Sequence, residues 1–280
     1  MARVEQSALP SPAAPEAGAL RVLRLALRGF ARVFSVVALA VAWEALARSG
    51  TFTHFQLPAL SEVIERIWND GVSGDLWLNT AQTLYRALTA FAICAVFGVL
   101  IGTAMSRNVV ASWFFDPIIS VGFPMPKIAF LPVVILWLGV FDISKITIIV
   151  IDAIFPVIAA TVIAIQGVER ELIWSARNMG ANDRELLTQV VLPAALPQIM
   201  TGLQVALPLS LIVAVVAEML MGGYGLGGAM MTASRFANST GVFAGIVEIA
   251  IVGYCLVKAM SLIRRRLLIW HQEASEPTTA

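Results

Sequence analysis

The sequence predicts an all-α polytopic membrane protein with six transmembrane helices, on three observations. The chain is 59% hydrophobic and only 13% charged, where soluble globular domains carry about 25% charged residues. Its mean hydropathy is +0.83, and several apolar runs approach or exceed the ~18–20 residues that cross hydrocarbon as a helix. A β-barrel is not expected, because barrel strands alternate in polarity over ~10-residue segments. The third observation is a polar island between two apolar runs, Gly167 to Leu196, GVERELIWSARNMGANDRELLTQVVLPAAL, with four acids and three arginines. A segment of that charge between two spans must lie in water and reads as a docking surface.

Residues 1–20 are rich in Pro, Ala and Ser and are expected to form a disordered cytoplasmic tail; no signal peptide is expected there. The transmembrane domain is expected over 21–270, followed by a polar tail at 271–280. Span one covers about Phe30 to Ala47, after Arg21, Arg24, Arg28 and Arg32. Leu60 to Asn69 has helical apolar spacing, which predicts a short interfacial helix. Span two runs from about Tyr85 to Met105, with Asp75 to Gln82 as an overhang and a turn at Arg107-Asn108.

Val109 to Val140 is apolar but holds Pro117, Pro124, Pro126 and Pro132. Each proline removes a backbone donor and clashes with the preceding turn, so an entering segment, a break at FPMPK and a return through Phe130 to Leu138 are predicted. Span four runs from about Ile146 to Ile165, with a kink near Pro156. Span five covers about Ile199 to Leu220. A glycine-rich external segment, GGYGLGG, then leads through Arg235 to span six, about Val242 to Leu262.

Six spans place both termini on one side, and the arginines say which. Arg21, Arg24, Arg28, Arg32, Arg107, Arg170, Arg177, Arg184 and Arg264 to Arg266 all fall on the predicted cytoplasmic side. Arg48, Arg66, Lys145 and Arg235 fall outside, with Arg86, Lys127 and Lys258 nearer the membrane. This asymmetry follows the positive-inside rule and puts the island in the cytoplasm.

Composition excludes several functions. Cys94 and Cys255 both lie in apolar runs, and His54 and His271 stand alone, so no disulfide framework or metal site is expected. The arginines are dispersed and the net charge is +1, which gives no nucleic-acid surface. No acid/base pair or nucleophile motif suggests an enzyme. No GxxxxGK[ST] phosphate loop is present, so no catalytic residue and no cofactor is expected.

Within the island, Glu169 to Met179 is helical in composition, and Gly180 can supply the left-handed residue that ends a helix. Asn182 or Asp183 can cap the next helix, with Glu185 in its first turn. That helix is expected to stop at Leu192-Pro193, since a residue before proline disfavours helical geometry. The prediction is a helix–turn–helix along the membrane surface.

The series Ala176, Gly180, Val190, Leu192 and Pro193 resembles the cytoplasmic "EAA" loop of ABC importer permeases. The glutamate of that motif is Trp174 here, and its first alanine is Ser175. NTAQTLYRALTAF at 79–91, DPIISVGFPMPKIAFLPVVILWLGV at 116–140, ALPQIMTGLQVAL at 195–207 and VAEMLMGGYGLGGAM at 216–230 resemble the nitrate/sulfonate/taurine-type permeases. The resemblance covers roughly residues 55–270.

The resemblance implies a type I permease-like fold in the bacterial inner membrane. It implies a homodimer, two cytoplasmic ATP-binding cassette subunits, an external or periplasmic substrate-binding protein and a surround of membrane lipid. The coupling loop would include Glu171, Trp174, Ser175, Ala176, Met179, Gly180, Ala181, Asn182, Arg184, Leu192 and Pro193. The substrate implied is a small anion such as nitrate, a sulfonate or taurine.

Charges at bilayer depth normally face the bundle or a cavity. Asp152 is a candidate for lining the pathway. Glu218 has two readings, holding GGYGLGG or shaping a gate. Lys127, in the proline break, either attracts an anion or snorkels to an interface. Met125 and Met221, with Met230 and Met231, can form an adaptable apolar gate or simply pack. Glu44 and Glu248 are expected near interfaces or paired with basic neighbours. An ion-coupled secondary transporter using the intramembrane acids is the alternative; such proteins often carry internal repeats, and none is found.

Overall fold

A computed structural model describes residues 34–269. The expected tails and the first residues of span one lie outside the described residues. Those described up to Glu62 and those from Val63 form two compact units.

In the first unit, helix α1 is described over 34–48. Glu44 pairs with Arg48 one turn on at 2.6 Å and accepts the Ser61 backbone N–H at 3.1 Å. It therefore has the basic neighbour expected of it, and it also satisfies a free amide at the start of α2 (Leu60–Ser73). Trp43 Nε1 donates to the Pro58 carbonyl at 3.0 Å.

The second unit is built on α3 (Asp75–Arg107), α6 (Asp142–Gln166) and α9 (Leu192–Met221). Lipid is as apolar as leucine, so helices in a bilayer associate through close packing. Gly98 and Gly102 lie one turn apart on α3. A Cβ on Gly98 would overlap Val157, and one on Gly102 would overlap Thr161. Gly202 of α9 meets Ala160 in the same way. The smallest residues thus sit where the three helices cross. Ala87, Ala90, Ile148, Ile149, Ala214 and Ala217 continue the core toward the Met221 end of α9.

Asn108 ends α3 and caps α4 (Val109–Gly122), its side chain accepting from the Val110 and Ala111 amides. A 3₁₀ turn (Lys127–Phe130) leads into α5 (Leu131–Leu138). The two apolar segments are bent by 94° at the FPMPK break. Pro124 and Pro126 occupy the bend, while Pro132 lies in the first turn of α5, where a missing donor costs nothing.

Among the described residues, four helices are long and apolar enough to cross a membrane, or five if the bent pair counts as one. These four are α3, α6, the continuous helix Asp183–Met221 and α11 (Ser239–Leu267). Between the last two lies α10 (Leu226–Arg235).

Two expectations are corrected. The helix that begins at Asp183 does not stop at Leu192-Pro193. It passes through α8 (Asp183–Glu185) and a π-helical turn (Leu186–Val191) into α9. The Leu192 amide donates to the Leu187 carbonyl, five residues back. This wider turn re-registers the backbone just before Pro193, so the ring does not meet the usual carbonyl. The glycine-rich segment is likewise not all loop: its last residues, Leu226, Gly227 and Gly228, form the first turn of α10.

Candidate functional site

The polar island folds as two helices around one glycine. α7 (Arg170–Asn178) ends at Met179. The Ala181 amide donates to Ala176 at 3.1 Å and the Gly180 amide to Arg177 at 3.0 Å, the paired bonds of a Schellman cap. Gly180 has φ +87°, and a Cβ there would meet nothing within 4 Å. Its glycine is therefore required by backbone conformation alone. Asn182 caps the next helix, accepting from Arg184 N at 3.1 Å and Glu185 N at 3.0 Å. Glu185 Oε2 accepts the Asn182 amide at 2.9 Å, completing a capping box.

Beneath this turn Ala176, Leu186 and Val191 are buried with Ala164, Ile165 and Ile199. The loop is thereby fixed to the end of α6 and the start of α9. Its other face is open: Trp174 is 59% exposed and Met179 80%. Glu171, Ser175, Asn182, Arg184 and Pro193 are exposed as well, while Ala181 and Leu192 are half-buried. Of the loop candidates, only Ala176 is fully enclosed.

At the helix break, Lys127 and Asp152 come together. Lys127 Nζ lies 3.5 Å from Asp152 Oδ1 and donates to the Phe123 carbonyl at 2.9 Å. The ammonium also sits over the Phe155 ring, 4.8 Å from its centroid, within cation–π range. Met125 is exposed beside the bend. Met221 instead packs on the core near Ile148, away from this pair in sequence and element.

Glu218 is fully buried at the opposite end of α9 from the loop. Its Oε1 accepts from Arg86 Nη1, and its Oε2 accepts from Thr83 Oγ1 at 2.9 Å and the Gly227 amide at 3.1 Å. Arg86 is 3% exposed. It also donates to the Tyr224 carbonyl at 2.6 Å and to Asp142 at 2.8 Å. Asn79 accepts the Gly225 amide at 2.9 Å, Thr83 Oγ1 accepts that of Leu226 at 2.9 Å, and Lys145 donates to the Gly222 carbonyl at 2.8 Å. Side chains of α3, α6 and α9 therefore hold the backbone of the glycine turn. Gly225 has φ +127°, and a Cβ there would overlap the Glu218 carboxylate.

Sequence reading singled out Glu218 but not its partners. A signal existed: Asn79, Thr83 and Arg86 recur at helical spacing along the otherwise apolar α3, one polar face on one helix.

A multi-pass helical bundle, with a capped helix pair projecting from two of its spans, defines an α-helical membrane protein with an exposed docking turn. The chain belongs to the family of binding-protein-dependent transport system inner membrane components, whose family model matches residues 95–269. It is 30% identical over 244 residues to the taurine transport system permease protein of Escherichia coli (strain K12), covering 85% of this chain and 89% of that protein. It is 31% identical over 228 residues to a Bacillus subtilis (strain 168) permease named for aliphatic sulfonates, covering 81% and 83%. A riboflavin transport system permease of Chloroflexus aurantiacus is 30% identical over 236 residues, covering 84% and 88%. In fold, the chain resembles an inward-facing methionine ABC transporter chain at TM-score 0.61 and 20% identity, covering 68% of this chain and 96% of that one. It is thus an ABC importer permease subunit of the inner membrane, similar to the taurine and sulfonate permeases.

Proposed function

We propose that this permease lines the route of a small organic anion of the sulfonate class and couples it to separate ATPase subunits through the α7–α8 turn. One observation carries the coupling role: a Schellman-capped, box-capped helix pair, fixed underneath to α6 and α9, exposes Trp174, Met179 and Gly180. Such a pair is a short rigid lever. A partner that grips it and moves tilts the two attached spans, and rigid-body tilting is a known route to alternating access.

Both termini and this loop lie in the cytoplasm, a reading supported by the arginine asymmetry. Two copies of the chain form the pathway, two cassette ATPases hold the two loops, and an external binding protein delivers the solute. The Lys127–Asp152 pair at the helix break belongs to the pathway, with Met125 beside it. Glu218 serves the glycine turn. The relatives named for taurine and aliphatic sulfonates support the substrate class.

Co-purification tests the coupling role: a cassette ATPase should accompany the intact chain. Gly180→Arg has open space for its side chain but strains a backbone at φ +87° by about 1–2 kcal/mol. The bundle should therefore stay folded, and transport-stimulated ATP hydrolysis should be abolished. Gly180→Ala, with the same strain, should not abolish it. Solute uptake driven by an ion gradient without any ATPase would overturn the proposal. Uptake of taurine and alkanesulfonates by the reconstituted complex tests the substrate class.

A further inference from the structure

Two adjoining cavities lie beside α11, on the side of α10. The first, about 540 Å³, is lined by charged and amide side chains including Arg66, Asp70, Asp75, Asn79, Asn238 and Glu248. The second, about 450 Å³, is apolar and runs between α3 and α11 past Trp77, Leu84, Ile251, Cys255 and Ala259. Leu76 and Glu248 line both, so the polar cleft and the apolar groove adjoin at these two residues.

Glu248 stands at that step. It is 8% exposed, and its Oε1 has no hydrogen-bond partner among the described residues. A buried carboxylate without a partner carries a large desolvation cost that a cationic donor relieves. Arg66, the cation lining the cleft, sits on Asp70 at 2.8 Å through Nε and makes no ion pair with Glu248. Asp75 adds further negative charge and accepts a hydrogen bond from the Ser73 hydroxyl at 3.1 Å.

We propose that these joined cavities hold one membrane phospholipid with a primary-ammonium headgroup of the phosphatidylethanolamine kind. The ammonium meets Glu248, the phosphate lies against Arg66, whose contact with Asp70 is through Nε, and an acyl chain lies in the groove. Length supports this occupant. Glu248 to Ala259 is eleven residues of helix, about 16 Å at ~1.5 Å per residue, and half of a ~30 Å hydrocarbon core is about 15 Å. The groove therefore matches one leaflet. Trp77 marks its head end, with Nε1 donating to the Gly71 carbonyl at 3.0 Å, as tryptophans do at membrane interfaces. A metal ion does not fit, since no three His, Cys, Asp or Glu side chains converge among the described residues. A free sulfonate does not fit either, because it brings no cation for Glu248 and no chain for the apolar groove. The inference rests on membrane residence and not on which solute crosses.

Native mass spectrometry of the full-length protein, delipidated and offered equal phosphatidylethanolamine and phosphatidylglycerol, tests it. The amine lipid is expected to be retained about tenfold over the glycerol lipid, the scale of one charge-assisted hydrogen bond. Glu248→Gln should erase that preference. Ala259→Trp, which fills the groove without touching charge, should lower retention of both lipids. Of the two cysteines, Cys94 is buried and Cys255 exposed, so Cys255 reports on the groove directly. Its alkylation in detergent should slow when phosphatidylethanolamine is added and respond less to phosphatidylglycerol. Equal binding of the two lipids, unchanged in Glu248→Gln, would overturn the proposal. So would a Cys255–Cys255 cross-link between two copies, which would place a second chain in the groove.

Discussion

At its Met221 end, α9 is tied down by charge removed from solvent; at its Leu192 end, by backbone caps and small apolar contacts. Around Glu218, side chains from three helices converge on a glycine turn that has no room for a Cβ at Gly225, Gly227 or Gly228. Around Gly180, the caps are local, every hydrogen bond joins residues within five positions, and the space outside is empty. The first arrangement is costly to perturb and suits a fixed point. The second holds its shape while leaving a face free for a partner. One helix thus links an anchored end to an end that can be gripped.

The largest test strikes the anchored end. Glu218→Leu removes the buried carboxylate of Arg86 and leaves it Asp142 and the Tyr224 carbonyl. Breaking a buried pair costs about 3–5 kcal/mol, and the remaining partners put the expected loss at the lower end. Thermal unfolding of the purified full-length protein should show that loss. Arg86→Met combined with Glu218→Leu should recover part of it, because exchanging both members for apolar groups is often near neutral. A single-variant loss no greater than that of a surface substitution would break the comparison.

The same change at each end sharpens it. Gly180→Ala forces a left-handed backbone on alanine, about 1–2 kcal/mol, with no clash. Gly225→Ala adds an overlap with the Glu218 carboxylate to its own positive φ, so it should destabilise more. Equal shifts in melting temperature would mean that the glycine turn is looser than its hydrogen bonds imply.

A smaller effect is expected at Asn182. Asn182→Ala removes the oxygen that accepts two amides, worth about 1 kcal/mol for a helix cap. Because this cap is local, the change should raise amide exchange near Arg184 to Leu186 and leave global unfolding nearly unchanged.

How far these two ends could be read from sequence follows from their chemistry. The loop was legible because its signals are local: Gly180 for the left-handed turn, and Asn182 or Asp183 as a cap with Glu185 in the next turn, between which the structure selects Asn182 and a full capping box. The bend was legible from Pro124 and Pro126. The anchored end was not, because Arg86 and Glu218 lie 132 residues apart and no local pattern pairs them. Helix α10 escaped notice because glycine disfavours helix interiors, whereas Gly227 and Gly228 are there to let backbones approach Val215 and Gly223. Pro193 misled for a related reason: the local rule ends a helix, and a π turn absorbs the proline instead.

The smallest stability effect carries the sharpest test of the open end. Trp174 occupies the position where the family motif has a glutamate, and it is 59% exposed. Replacing it with that glutamate should change folding stability by no more than about 0.5 kcal/mol, as for surface positions away from caps and cores. If the partner meets this loop through an apolar surface, Trp174→Glu should weaken transport-coupled ATP hydrolysis in the reconstituted complex while leaving assembly of the chain intact. Stronger coupling in that variant would show that charge sets the contact, and the grip would then have to be sought at Arg177 and Arg184. Unchanged coupling would place the contact on Met179 and the Gly180 turn alone.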